Sequence, residues 1–197
     1  KLGATVRPMN WSLPEWEQQR LIGLADPVVV VAETGGHPGR VSLDDVRATV
    51  AFNHDPLPDR TAQPARAIAT SGSTGHPKLI VTPTPAAFDP SLAPNPMAIT
   101  GQDVIQLVTS PLYHTNGFGC HLRLMAGGRL IVLQRFDAAR VVDLVSRWAV
   151  NHVILVPTML QRIARLPNLD RAALATLTHV YYGGAPLAPW VAKRWLD

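Results

Sequence analysis

The sequence predicts an α/β fold with mostly parallel sheets flanked by helices. Two observations carry this prediction. From Asp103 onward, short runs rich in branched aliphatic residues alternate with amphipathic segments of helical length, a pattern typical of parallel strands joined by right-handed helical crossovers. The composition agrees with a packed core, because 47% of the 197 residues are hydrophobic and only 16% are charged.

The first third of the chain contains fewer regular elements. Apolar residues between Leu13 and Leu24, with Pro14 in the first turn, predict an amphipathic helix. The four valines of "DPVVVVAE" predict a strand buried on both faces of a sheet. Ser42 and Asp45 have the spacing of a capping box and predict the start of a short helix. The five prolines between residues 83 and 96 predict a long loop.

The regular part of the chain is predicted in more detail. Its strands are "VIQLVTS", "RLIVLQ", "HVILVP" and "HVYYGG". Helices are expected after the first of these strands, from Asp137 to about Val150, in "TMLQRIARL" and near "LDRAALATL". Asp137 is the expected N-cap of its helix, and Val141, Leu144, Val145 and Trp148 form that helix's apolar face.

Composition also restricts the class of partner. The net charge of +4 comes from scattered basic residues, whereas a nucleic-acid or membrane surface needs a cluster. The single cysteine, Cys120, excludes an intrachain disulfide, and we expect a buried structural thiol there. No apolar run is long enough for a membrane span. We expect a cytoplasmic protein that binds small molecules, whose oligomeric state the sequence leaves open.

The stretch "TSGSTGHPK", from Thr70 to Lys78, is suited to a phosphate chain. Glycines allow backbone N–H groups to approach a phosphate closely, while hydroxyls and a lysine add donors. The predicted phosphate ligands are Thr70, Ser71, Gly72, Ser73, Thr74, Gly75 and Lys78. Pro77 and Leu79 break the spacing of a nucleotide-hydrolase P-loop, and the strand-like "LIVT" follows Lys78 instead of a helix. A flexible Ser/Gly-rich turn is the alternative interpretation.

Together with two later motifs, this stretch resembles the adenylate-forming superfamily, which includes acyl-CoA synthetases and peptide-synthetase adenylation domains. The later motifs are "PLYHTNGFG", residues 111–119, and "YYGGAPL", residues 181–187. The resemblance implies that a carboxylic acid reacts with ATP to form an acyl adenylate, which coenzyme A then captures. It also implies an acyl and adenylate pocket lined by His114, Asn116, Gly117, Gly183, Gly184, Ala185 and Pro186.

The resemblance covers only part of such an enzyme. Residues 1–197 are expected to form a single segment of an incomplete N-terminal adenylation domain, without the C-terminal domain. The motifs that supply the Mg²⁺ ligand, the ribose contact and the catalytic lysine cannot be located, so we assign no catalytic or metal-binding residue and expect the segment alone to be inactive. Loading of a carrier protein and a non-catalytic nucleotide- or acyl-binding module are the alternatives. Small glycines and an aliphatic strand favour a fatty or other bulky apolar acid as substrate.

Overall fold

The computed structural model describes residues 3–33, 40–48, 56, 58–70, 77–87, 103–114, 117 and 119–196. The chain divides into two compact units, Lys1–Ala87 and Phe88–Asp197. Within the described residues, no helix combines the length and the apolar character needed to cross a membrane.

The first unit combines two helices with two small sheets. Strands β1 and β2 pair in parallel, whereas β3 and β4 form an antiparallel hairpin. Val6 forms an isolated bridge to Arg66 at the start of β3. In chain order the elements are α1 Glu15–Ala25, β1 Val30–Ala32, β2 Arg40–Ser42, α2 Leu43–Ala48, β3 Arg66–Thr70 and β4 Lys78–Thr82.

Both helices of this unit begin close to the predicted positions. The capping box is present, because the amide of Asp45 donates to Ser42 Oγ over 2.9 Å and the amide of Ser42 donates to Asp45 Oδ2 over 3.1 Å. The Ser42 hydroxyl also donates to Asp45 Oδ2 over 2.6 Å, and this bond, followed by the one from the Ser42 amide, lowers the pKa of the Asp45 carboxyl. Pro14 is the N-cap of α1, with ψ 147°, and therefore lies just before the first turn in which we expected it.

The prediction of a strand buried on both faces is wrong for the valine run. Val28 is 97% exposed and Val31 is 56% exposed, and only Val30–Ala32 forms a strand. A strand of three residues with one short neighbour provides too little surface for two covering layers. The run of valines favours extended backbone, but burial depends on elements elsewhere in the chain. Beyond Ala87, the predicted proline-rich loop lies outside the described residues.

The second unit is built on a sheet of four parallel strands in the order β6-β5-β7-β8. The four strands and the helices between them occur where the sequence predicts them. In chain order they are β5 Ile105–Val108, α3 His121–Met125, β6 Arg129–Val132, α4 Ala138–Trp148, β7 His152–Leu155, α5 Pro157–Ala164, the 3-10 turn Arg171–Leu174, β8 His179–Tyr182 and α6 Pro189–Leu196.

One face of this sheet forms the hydrophobic core. Leu107 and Val153 point from adjacent strands into a cluster with Val145 on α4 and Ile163 on α5, all at most 1% exposed. The opposite face carries Gln106, His152 and α3. The central strands are therefore covered on both sides, as expected for parallel strands.

Helix α4 confirms the predicted cap and most of the predicted apolar face. Asp137 Oδ1 accepts a hydrogen bond from the amide of Arg140 over 2.8 Å. Val141, Leu144 and Val145 are buried, but Trp148 is 50% exposed. Trp148 is the last residue of the helix, and its ring lies against the guanidinium of Arg147. Helical periodicity assigns a residue to a face of the helix, but burial at a helix end depends on what packs there.

Candidate functional site

The order of the strands in the second unit defines where a ligand is expected. From β5 the chain crosses to β6 on one side, and from β7 it crosses to β8 on the other side. Such a reversal leaves a crevice outside the carboxyl ends of the two central strands, which is where open parallel sheets bind their ligands. The second predicted motif follows β5, and the third follows β8. The fold therefore brings both motifs to the same edge of one sheet.

The loop after β5 is connected to the neighbouring strand at its first residue. Thr109 is 4% exposed, and its hydroxyl donates to the carbonyl of Ile154 over 3.1 Å. A turn follows, in which the amide of His114 donates to the carbonyl of Pro111. The His114 side chain is exposed, with its ring centroid 4.7 Å from that of Tyr113. His114 thus stands at the edge of the sheet where a ligand is expected, while Asn116 lies outside the described residues.

Gly117 has a different environment from the one expected of a pocket residue. It is buried, and a Cβ at this position would lie 2.1 Å from the carbonyl oxygen of Pro111 and 2.9 Å from Leu112 Cα. The space beside its Cα is therefore filled by backbone. Glycine is needed at position 117 because the loop returns closely onto Pro111–Leu112. Gly117 therefore does not support the expectation of a spacious acyl pocket.

The segment after β8 provides open space. A Cβ on Gly183 would meet no atom within 4 Å, and Gly184 has φ +91°, a conformation that side chains rarely adopt. A Cβ at Gly184 would come 4.0 Å from Val156 Cγ1, which places this turn beside the residue that follows β7. Ala185 and Pro186 are exposed. Exposed backbone of this kind has room for a flat group to lie against it.

The predicted phosphate ligands belong to the first unit. Thr70 ends β3 and pairs with Lys78, the first residue of β4. The amide of Lys78 donates to Thr70 Oγ1, and the Thr70 hydroxyl donates to the Lys78 carbonyl, both over 3.4 Å. Lys78 is exposed, and a strand follows it as predicted. Ser71, Gly72, Ser73, Thr74 and Gly75 lie outside the described residues.

A buried polar cluster in the second unit was not predicted. Gln106 and His152 are paired across β5 and β7, and Arg123 of α3 lies over them. Arg123 Nε donates to Gln106 Oε1 over 3.0 Å, and a terminal nitrogen of Arg123 lies 3.1 Å from His152 Nε2. These three side chains are at most 4% exposed. The available signal was a glutamine and a histidine inside otherwise aliphatic strands.

The cluster controls the protonation of His152. Burial, followed by the charge of Arg123 and the nearby His179, lowers the pKa of His152 to about 4, so the imidazole is neutral at pH 7. Burial also lowers the pKa of Arg123, and Tyr181 opposes that effect. Because a guanidinium only donates, Nε2 of His152 must accept and Nδ1 carries the hydrogen. Within the described chain, His152 Nδ1 is a buried atom without a hydrogen-bond partner, which costs about 1–3 kcal/mol.

Other reactive side chains are placed as follows. Cys120 is 7% exposed, and burial raises the pKa of its thiol, which agrees with a structural role and disfavours the reactive thiolate. Across the described ranges, no three His, Cys, Asp or Glu side chains are grouped so that they could hold a metal ion.

Comparison with known proteins identifies the family. The family model described as AMP-binding enzyme matches residues 1–197. Feruloyl-CoA synthase from Amycolatopsis sp. is 36% identical over 133 residues, covering 65% of this chain and 26% of the relative. The 4-chlorobenzoate CoA ligase from Pseudomonas sp. strain CBS-3 is 33% identical over 145 residues, covering 70% of this chain and 28% of the relative. The chain thus spans about a quarter of each relative's length.

The fold is found in solved structures of the same kind. The crystal structure of ATP-bound MatB from Rhodopseudomonas palustris superposes with a TM-score of 0.71 and 26% identity, covering 97% of this chain and 42% of that one. This similarity confirms the α/β class and the parallel sheet flanked by helices. Together with the family match over all 197 residues, it shows that the chain belongs to the AMP-binding enzymes of the adenylate-forming superfamily.

Proposed function

We propose that the protein containing this chain activates a carboxylic acid with ATP and transfers the acyl group to coenzyme A. The observation that carries the proposal is that the His114 loop and the Gly183–Gly184 turn follow the carboxyl ends of β5 and β8, at the same edge of one parallel sheet. Ligands of open α/β sheets bind at this edge. The relatives named feruloyl-CoA synthase and 4-chlorobenzoate CoA ligase support the reaction class.

The reaction has two steps. A carboxylate oxygen of the acid attacks the α-phosphorus of ATP, the bond to the bridging oxygen breaks, and pyrophosphate leaves with its electron pair. The thiol of coenzyme A then loses its proton to solvent and its sulfur attacks the acyl carbon. The bond from that carbon to the phosphate oxygen breaks, and AMP leaves with the electron pair as the thioester forms. A carboxylate is already deprotonated at pH 7, so the first step needs no general base, and no such role is assigned to His114.

The residues of this chain contribute binding and charge. Lys78 is exposed at the end of the β3–β4 hairpin, where its ammonium can neutralise charge on the leaving pyrophosphate. Thr70 and residues 71–75 add hydroxyl and amide donors. His114 borders the carboxylate end of the acid, and Gly183, Gly184, Ala185 and Pro186 form the backbone wall beside the acyl group and the adenine. Mg²⁺ is expected to accompany ATP in such enzymes, but no step is assigned to it here.

We further propose an aromatic or similarly elongated acid as substrate. The acyl groups in the names of the two relatives are aromatic, which narrows the preference for fatty or other bulky apolar acids that the sequence suggested. The open space above Gly183 has no Cβ to obstruct a flat ring.

The test uses the full-length enzyme that contains this chain. Pyrophosphate release from ATP should depend on an added acid, with ferulate, 4-chlorobenzoate and decanoate as probes, and the thioester should form only when coenzyme A is present. Lys78→Ala should reduce acid-dependent pyrophosphate release about 100-fold or more. Lys193→Ala, which removes an exposed lysine of α6, is the matched control and should retain activity.

Three results would each contradict part of the proposal. Absence of acid-dependent pyrophosphate release with every probe would favour a binding module without catalysis. Full activity of Lys78→Ala would remove the role assigned to this lysine. Pyrophosphate release without thioester formation on coenzyme A would instead indicate a different acceptor, such as the thiol of a carrier protein.

A further inference from the structure

Helix α3, which follows the second motif, contributes one buried side chain to its contact with the sheet. Of its five residues, all of them described, only Arg123 is buried, with 4% of its surface exposed. Leu122, Leu124 and Met125 are exposed, so these apolar side chains add little burial against the sheet. A helix of this length is not stable by itself. The attachment of α3 to the sheet therefore depends on what Arg123 binds.

Arg123 binds both central strands of the sheet. Its Nε donates to Gln106 Oε1 of β5 over 3.0 Å, and a terminal nitrogen lies 3.1 Å from His152 Nε2 of β7. A buried guanidinium has a desolvation cost that an aliphatic side chain would avoid. Its rigid, planar set of donors, however, fits two acceptors in one orientation only. The two hydrogen bonds therefore fix the position of α3 over the sheet, which aliphatic packing would define less well.

Close backbone contacts connect this attachment to His114. The amide of Arg123 donates to the carbonyl of Cys120 over 3.0 Å, and the amide of Cys120 donates to the carbonyl of Gly117 over 3.1 Å. Gly117 in turn packs on Pro111, whose carbonyl accepts from the amide of His114 over 3.0 Å. Because this packing leaves no room even for a Cβ at position 117, a shift of α3 must also shift the turn that carries His114.

We propose that Arg123 is a positioning residue of the acid site: by binding Gln106 and His152 it holds α3, and with it the His114 loop, in the arrangement that receives the carboxylate. The inference rests on the proposed function, which assigns the carboxylate end of the acid to His114. Without the guanidinium the loop occupies several arrangements, and the apparent affinity for the acid falls with the fraction that is competent to bind. ATP is affected less, because the residues assigned to its phosphates belong to the first unit.

Kinetics of the full-length enzyme test this role. Pyrophosphate release is measured with the most active of ferulate, 4-chlorobenzoate and decanoate, and kcat and KM are determined for the acid and for ATP. Arg123→Met keeps most of the volume but removes the donors. It should raise KM for the acid about tenfold, while KM for ATP and kcat at saturating acid change about twofold or less. Arg147→Met removes an exposed arginine of α4 and is the control, which should leave all these constants unchanged.

Two further variants separate positioning from stability. Arg123→Lys keeps a buried donor that can reach one of the two acceptors, so KM for the acid should rise only about threefold or less. The triple variant Arg123→Met, Gln106→Leu and His152→Leu leaves no polar group of the cluster unpaired and should unfold at a higher urea concentration than Arg123→Met alone. Its KM for the acid should nevertheless stay as high as that of Arg123→Met, because apolar packing does not fix the orientation of α3.

Hydrogen exchange measures the same connection in the unmodified full-length enzyme. With α,β-methylene ATP present throughout, addition of the acid should slow amide exchange both in residues 109–114 and in α3, because the loop and the helix are expected to open as one unit. Slower exchange in the loop with unchanged exchange in α3 would overturn the inference and leave the proposed function standing. Unchanged exchange in both segments of an active enzyme would contradict the placement of the acid at His114, and the inference with it.

The kinetic outcomes also separate the inference from the proposed function. A folded Arg123→Met variant with an unchanged KM for the acid would overturn the inference, as would a triple variant whose KM returns to that of the unmodified enzyme. Equal increases in KM for the acid and for ATP would indicate a general distortion of the enzyme and would overturn it as well. Absence of acid-dependent pyrophosphate release with every probe would overturn the proposed function, and the inference with it.

Discussion

His152 Nε2 lies 3.1 Å from a terminal guanidinium nitrogen of Arg123, and both side chains are at least 96% buried. The arginine sits on α3 and the histidine begins β7, so this contact ties the helix after the second motif to the centre of the sheet. The neutral imidazole accepts from the guanidinium, whereas an imidazolium would repel it. The contact therefore depends on pH.

Stability of the second unit should fall as the solution becomes acidic. The pKa of His152 is 6.5 when unfolded and about 4 when folded, so between these values the unfolded chain binds more protons and stability rises with pH. The contribution of the neutral His152 imidazole to the free energy of unfolding is complete above about pH 6.5 and is lost toward pH 4. Its magnitude is about 3 kcal/mol. Urea unfolding monitored between pH 4 and pH 7 measures it.

Variants identify the group responsible for this pH dependence. In His152→Asn, the urea concentration at the unfolding midpoint should change less over the same pH interval. The free energy of unfolding at pH 7 should fall. His114→Asn is the control, because the His114 side chain is exposed in the folded chain, and it should leave the slope unchanged. An unaltered slope in His152→Asn would show that other groups cause the acid sensitivity.

Gly117→Ala should destabilise the loop that carries His114. The new Cβ would lie 2.1 Å from the carbonyl oxygen of Pro111, and backbone cannot move aside cheaply. We expect a loss on the order of 2–4 kcal/mol in the free energy of unfolding. Gly23→Ala is the matched control in α1, where a Cβ meets nothing within 4 Å, and it should gain about 0.5–1 kcal/mol. Equal stability of the two variants would refute the packing explanation for Gly117.

The adjacent glycines after β8 should respond differently to alanine. Gly184→Ala must adopt φ +91° and should cost about 1–2 kcal/mol of folding free energy. Gly183→Ala has open space and should leave stability nearly unchanged, but its methyl group enters the region assigned to the acyl group. In the full-length enzyme it should raise KM for the acid more than KM for ATP. A normal KM for the acid would place the acyl group elsewhere.

The N-cap of α4 offers a test of local stability. Asp137→Ala removes the acceptor of the Arg140 amide and should lower the free energy of unfolding by about 1 kcal/mol. Asp143→Ala, in the same helix, removes only a half-exposed ion pair with Arg140 and should cost about 0.5 kcal/mol or less. Thermal unfolding of both variants gives the comparison, and a larger loss for Asp143→Ala would be inconsistent with the cap.

Local patterns were sufficient for the four strands of the second unit and for the helices between them. Helix α4 could be predicted from the Asp137 cap and from Val141, Leu144 and Val145, because capping and helical periodicity act within a few residues of the chain. The same kind of pattern predicted burial wrongly for the valine run and for Trp148. Extended or helical backbone is a local preference, but whether a side chain is buried depends on what packs against it.

The amino-acid sequence by itself determined the order of strands and helices, the two caps and the three motifs of an adenylate-forming enzyme, since each depends on residues close together in the chain. The tertiary structure decided three matters: the order β6-β5-β7-β8, the close packing of Gly117 on Pro111, and the meeting of Gln106, Arg123 and His152. These three residues are up to 46 positions apart. Their juxtaposition follows from strand register and helix crossover, which no local pattern encodes.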